Sequence, residues 1–101
     1  MQSTLIIERS FYAVSPEGAG AAIRVGVAAP VPRESFDWAC ATWIDFLDPE
    51  ERTVFGIDSW QAASLAMTLI ATRIGHFEQR GWTFFWASDR SQPFHAAALA
   101  R

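Results

Sequence analysis

Cys40 and His76 are the side chains in this sequence that could pair as a thiol nucleophile and its base. Such a pair needs hydrogen-bond contact and a third group to orient the base. Nothing in the spacing supplies that contact. Cys40 falls on the inward face of a strand, where a free thiol behaves as a small hydrophobe. His76 and His95 could share a metal with a carboxylate, but they lack the paired spacing that puts two imidazoles on one helix face. They read as a helix-end histidine and a tail histidine. Gly18, Gly20 and Gly26 make no phosphate loop, since the P-loop pattern and its lysine are both missing. The chain has no lysine at all, which excludes a lysine nucleophile or Schiff base. The sequence therefore assigns no catalytic residue, no metal ligand and no cofactor.

Two other sets of residues suit contact more than catalysis. Asp45, Asp48, Glu50 and Glu51 make an acidic corner around one turn. Its ordinary reading is a solvated hairpin end. Its functional reading is a docking patch for a basic partner, as in small acidic domains that neutralise nuclease toxins by mimicking phosphate charge. Trp43, on a strand face that also carries Asp37 and Asp45, and Trp60, in a first helical turn, are the candidate exposed anchors. Trp43, Trp60, Asp45, Asp48, Glu50 and Glu51 together form the candidate interface, and the partner they imply is another protein chain.

Composition supports that direction. A chain of 101 residues is one domain with enough apolar material, 50%, for a core. The charged fraction of 19% lies below the roughly 25% usual for such domains, so much of the surface is cheap to desolvate. Five tryptophans exceed what a core this small encloses. The eight arginines are isolated from one another and the net charge is −3, so no cation cluster exists to release counterions from a nucleic acid. The absence of lysine and the abundance of alanine read as a GC-rich coding bias. Cys40, the lone cysteine, excludes an internal disulfide and a cysteine-rich zinc site. Met1 to Thr4 shows no basic leader, and the longest uncharged run, Ser59 to Thr72, is too short to span a bilayer. A soluble, cytoplasmic protein without membrane contact is expected.

The elements that must position these residues follow from pattern. Thr4 to Val14 reads as a strand with Leu5, Ile7 and Phe11 on one face, a pattern that Arg9 breaks. Ser15-Pro16-Glu17-Gly18 is a turn, and Ala21 to Ala29 a second strand. Pro30 to Glu34 reads as a connection. Phe36 to Leu47 is a third strand, with Phe36, Trp38, Cys40, Ile44 and Phe46 inward. Asp48 to Glu51 is a turn, and Arg52 to Ile57 a fourth strand. Asp58 caps a helix from Ser59 to about Arg80, with Gln61 completing a box-like start. Its apolar stripe is Ala62, Leu65, Ala66, Leu69, Ile70, Ile74 and Phe77, and Gly81 is its stop. Trp82 to Ala87 is a fifth strand. Residues 1–90 make the domain; residues 91–101 are a tail or a short helix opened by Pro93.

The segment Phe36 to Trp86 resembles a family of small uncharacterised bacterial α+β domains. Trp38-Ala39-Cys40, then Gly56-Ile57-Asp58-Ser59-Trp60-Gln61-Ala62 entering a helix, and the aromatic strand Trp82-Thr83-Phe84-Phe85-Trp86 carry the resemblance. It implies a fold and no activity.

The fold expected is α+β: a mostly antiparallel five-stranded sheet, β-β-β-β-α-β, with one long helix on one face; the last strand lies beside strand one, giving order 5-1-2-3-4, or beside strand four through a right-handed crossover. The function expected is a non-enzymatic protein-interaction module, self-associating or an immunity-type accessory. A small-ligand domain with an aromatic pocket between sheet and helix is the alternative, and a small enzyme a more distant one. With net charge −3 and no lysine, DNA and RNA titrations at physiological salt should show no binding. Micromolar affinity that weakens with added salt would contradict this reading.

Overall fold

The computed structural model describes residues 5–100. Thr4, expected to open the first strand, lies outside the described residues, as do Met1, Gln2, Ser3 and Arg101. β1 (Leu5–Val14) and β2 (Gly20–Ala28) form the expected antiparallel hairpin. Gly18 takes φ 93° in its turn, and the Ser15 N–H donates to the Ala19 carbonyl at 2.8 Å. β4 (Trp38–Ile44) pairs with β2, and β5 (Asp48–Gly56) with β4. β6 (Thr83–Phe85) returns beside β1. The order β6-β1-β2-β4-β5 is the first of the two arrangements that the meander and the direction of return allow.

Among the described residues the sheet has seven strands, not five. β3 (Val31–Pro32) lies in the stretch expected to be a bare connection and pairs with β4; β7 (Pro93–Phe94) pairs with β6. Both contain proline and both end the sheet, where a missing N–H costs no ladder bond. Pro93 thus opens a strand and not a helix. The tail goes on as a 3-10 helix (Ala96–Ala100) packed on the long helix.

The third strand is shorter at both ends than expected. Phe36 and Phe46 sit in turns at φ 66° and 71°, and are 94% and 68% exposed, so neither joins the core. The turn expected at Asp48 to Glu51 falls at residues 45–47, and those four residues belong to β5.

α1 (Ser59–Gln79) begins as its sequence implies. The Asp58 carboxylate accepts from the Gln61 N–H at 2.8 Å, and the Gln61 side chain accepts from the Ile57 N–H at 2.8 Å, one residue before the usual box donor. At the other end Gly81, at φ 100°, donates to Glu78, and Trp82 donates to Phe77. This is a Schellman closure, and the Phe77 and Trp82 rings meet edge to face at 6.1 Å as its apolar contact.

α1 lies over β4 and β5 and reaches β2. Its buried face is Ala62, Ala66, Ile70, Ala71 and Ile74; Leu65 is exposed, and Leu69 and Phe77 are half-buried. The stripe is narrower than expected and begins on small residues, Ala62 and Ala66, where the helix comes close to β5. A Cβ on Gly56 would stand 2.5 Å from the Ala62 nitrogen. Under the helix lie Ile23, Val25, Val27, Cys40 and Ile44. Beyond it, Phe11, Phe84 and Phe94 fill the β1–β6–β7 side with rings 5.2 to 6.0 Å apart. Ile74→Ala should cost about 2–5 kcal/mol, as large-to-small core changes do, while Leu65→Ala should cost well under half as much. Urea denaturation of both variants measures this, and equal losses would mean that α1 turns a different face to the sheet.

Candidate functional site

Cys40 is enclosed, and its thiol donates to the Ala28 carbonyl at 3.3 Å. Burial pushes its pKa up, away from a thiolate. His76 is exposed on α1. His95 Nδ1 lies 3.1 Å from Glu78, whose other oxygen accepts from the Ala96 N–H and so holds the start of the 3-10 helix. Among the described residues no cluster of three His, Cys, Asp or Glu side chains could hold a metal. No helix among them is long and apolar enough to cross a membrane.

The six candidate interface residues fall into four separate places. Asp48 is 8% exposed. It accepts from Arg52 Nε at 2.9 Å and Arg73 Nη2 at 2.6 Å with one oxygen, and from the Glu50 N–H at 3.1 Å with the other. It is an internal anchor for α1 and leaves the acidic surface. Its carboxyl sits below the ordinary range because of the Arg52 hydrogen bond first, then the Glu50 amide and the charge of Arg73. Asp45 stands in the β4–β5 turn; Glu50 and Glu51 are exposed on β5, a sheet edge. Charges on an edge strand discourage pairing with another chain's edge. Trp43 is half-buried on β4, on the sheet face away from α1, across from Gly26.

Trp60 is elsewhere, and it has company. It is 83% exposed in the first turn of α1, and Ile57, just before the cap, is 75% exposed. Trp38 pairs with Gly56, so the chain before β4 and the chain after β5 leave the sheet at the same end. Phe36 is therefore at that end with Ile57 and Trp60. The turn that carries Phe36 is built to hold it. Arg33 grips Asp37 with two hydrogen bonds of 2.7 and 2.6 Å, and Ser35 adds a third at 2.8 Å. The Arg33 guanidinium lies 4.2 Å over the Phe55 ring. These bonds, Arg33 first, hold the Asp37 carboxyl at about 2. The alternation of Phe36 with Trp38 and Cys40 hid this position, and no turn glycine or asparagine marked it.

Most of the aromatic rings near the expected pocket between sheet and helix pack on one another. The rings of Phe11, Phe84, Phe94 and Trp86 fill one another's space, with Trp86 stacked on Phe94 at 3.9 Å. Two clefts open between sheet and helix: one of about 270 Å³ with mainly aliphatic walls beside Arg9, and one of about 430 Å³ against β6 and β7, lined by Trp82, Phe94 and His95 with Glu78.

A family model described as a domain of unknown function (DUF6968) matches residues 7–94. No curated protein and no solved structure matches the chain.

Asp48 and Asp37 both titrate lower when folded than unfolded. Their contribution is complete above the unfolded value of about 3.9 and drains away as pH falls through the folded values. Asp48→Asn should lower stability at pH 7 by about 1–3 kcal/mol and shrink the stability difference between pH 7 and pH 3. Urea midpoints at the two pH values test this; an unchanged difference would remove Asp48 from the acid response.

Proposed function

We propose that this chain, which belongs to the DUF6968 family of domains of unknown function, acts by contact with another protein chain and not by catalysis. The docking end is formed by Phe36, Ile57 and Trp60. One observation carries this reading: Phe36 is 94% exposed at φ 66°. The left-handed region costs a residue with a Cβ roughly 1–2 kcal/mol, and an exposed ring returns nothing to the fold. Glycine would suit the turn better. A phenylalanine held there by the Arg33–Asp37 grip is useful only to something outside the chain.

The neighbours support it. Trp60 and Ile57 add apolar area, and aromatic anchors dominate the energy of interfaces. Asp37 and Arg33 supply a charged rim whose groups already satisfy one another, so little desolvation cost falls on a partner. The partner is a second copy or an accessory protein.

Phe36→Gly should leave stability unchanged or raise it by about 1 kcal/mol. A photo-crosslinking residue in place of Trp60, used in the native host, should give a discrete protein adduct that Phe36→Gly removes. The same probe at Glu17, in the β1–β2 turn, should give none. An adduct of twice the chain mass from purified protein identifies a second copy. If position 60 gives no adduct, or one that persists in Phe36→Gly, the docking end is not where we place it.

A further inference from the structure

Arg9 occupies a position that a strand of this kind gives to an apolar residue. It alternates with Ile7 and Phe11 on the α1 side of β1 and stands opposite Val25. Phe11 and Val25 are buried. Among the described residues Arg9 has no carboxylate partner; its guanidinium lies 5.0 Å from the centroid of the Trp86 ring. Beside it opens a cleft of about 270 Å³ between the β1–β2 hairpin and α1. Val25 and Val27 form its floor, Met67 and Ile70 come from α1, and Leu99 from the 3-10 helix closes one side. Glu8 also borders the cleft, but it alternates to the opposite sheet face and its carboxylate pairs with Arg24 at 3.8 Å; the cation of the cleft is Arg9.

We propose that this cleft binds a small aliphatic carboxylate, its carboxylate on Arg9 and its chain along Val25, Val27 and Ile70. Cation–π contact with Trp86 at 5.0 Å uses the charge of the guanidinium and spends none of its N–H groups on an acceptor, which suits a bidentate carboxylate. The same contact restrains the long side chain before a ligand arrives, which reduces the ordering cost of binding. A single cation at the edge of an aliphatic cleft selects a ligand with one anionic end and an apolar body. The volume, just under the roughly 300 Å³ where small-molecule pockets begin, selects a short one. The site stands apart from the docking end and does not depend on it.

Octanoate titrated into the full chain, followed by NMR, should give saturable shifts at Val25, Val27 and Ile70. Arg9→Gln, at an exposed position that leaves the core untouched, should weaken octanoate at least about tenfold. Arg9→Lys should recover part of the loss. Octanol should bind the native protein more weakly than octanoate and be indifferent to Arg9→Gln. Met67→Trp, which fills the cleft from an exposed helix position, should weaken both. Absence of saturable octanoate shifts at these residues overturns the proposal. So does an affinity that Arg9→Gln leaves unchanged, or equal binding of octanol and octanoate.

Discussion

The close approach of Gly56 to Ala62 decides where α1 lies. With no Cβ on Gly56, the end of β5 meets the first turn of the helix backbone to backbone. At the start of the same strand Asp48 holds Arg73 at 2.6 Å. The two contacts are of unlike kind, one steric and one ionic, and they sit about 16 Å apart along the helix axis. Together they lay α1 antiparallel along β5 and fix both its distance and its direction. Ala62 and Ala66 follow from the close approach at the start of the helix, and Ile70 and Ile74 fill the space farther along it.

A helix about 10 Å across covers roughly two strands at the usual spacing of about 4.8 Å. Placed along β5, α1 shelters β4 and β5 and reaches β2, and the β1–β6 side needs other cover. The chain supplies it from its last residues. β7 brings Phe94 onto Phe11 and Phe84, and the 3-10 helix brings Ala96 against the core and Leu99 beside it. Glu78 ties this segment to α1 through the Ala96 amide. A sheet covered by one long helix and one short segment has a seam between them. Arg9 stands at that seam.

Local signals in the sequence were sufficient where the physics is local. Asp58, Gln61 and Gly81 mark the helix ends because capping acts across four residues or fewer. The strand order was legible because a meander followed by one returning helix leaves few directions open. The errors have a common cause. Phe36 and Phe46 continue the alternation of the third strand, and alternation reports side-chain parity without saying whether the backbone is still extended. The left-handed turns at those residues carry none of the glycine or asparagine that would have announced them. Asp48 looked like a turn residue beside Pro49, whereas its fate is set by Arg73, twenty-five positions away. β3 and β7 have two residues each and exist because neighbouring strands offer them an edge. Arg9 was visible as a break in pattern, but the cleft beside it depends on where the helix ends its cover.

Places where a sequence departs from local preference without gain to the fold are where function is to be sought. The chain departs in this way at Phe36, at Phe46 and at Arg9, and the departures at Phe36 and Arg9 differ in kind. The turn at Phe36 is rigid, braced by Arg33 and Asp37, and what it presents is apolar; that suits a surface that must be desolvated with little loss of entropy. Arg9 is a cation on the inward side of a strand, braced by an indole, and what it presents is a set of unused donors beside aliphatic walls. Domains of this size hold a net stability of only about 5–15 kcal/mol, so a left-handed phenylalanine draws on a measurable share of it. A turn at residue 36 that served the fold alone would relax to glycine or asparagine. An arginine at residue 9 that served the fold alone would relax to valine, which would close the seam against Val25. Retaining both keeps one surface apolar and one seam open, and each demands a different partner chemistry.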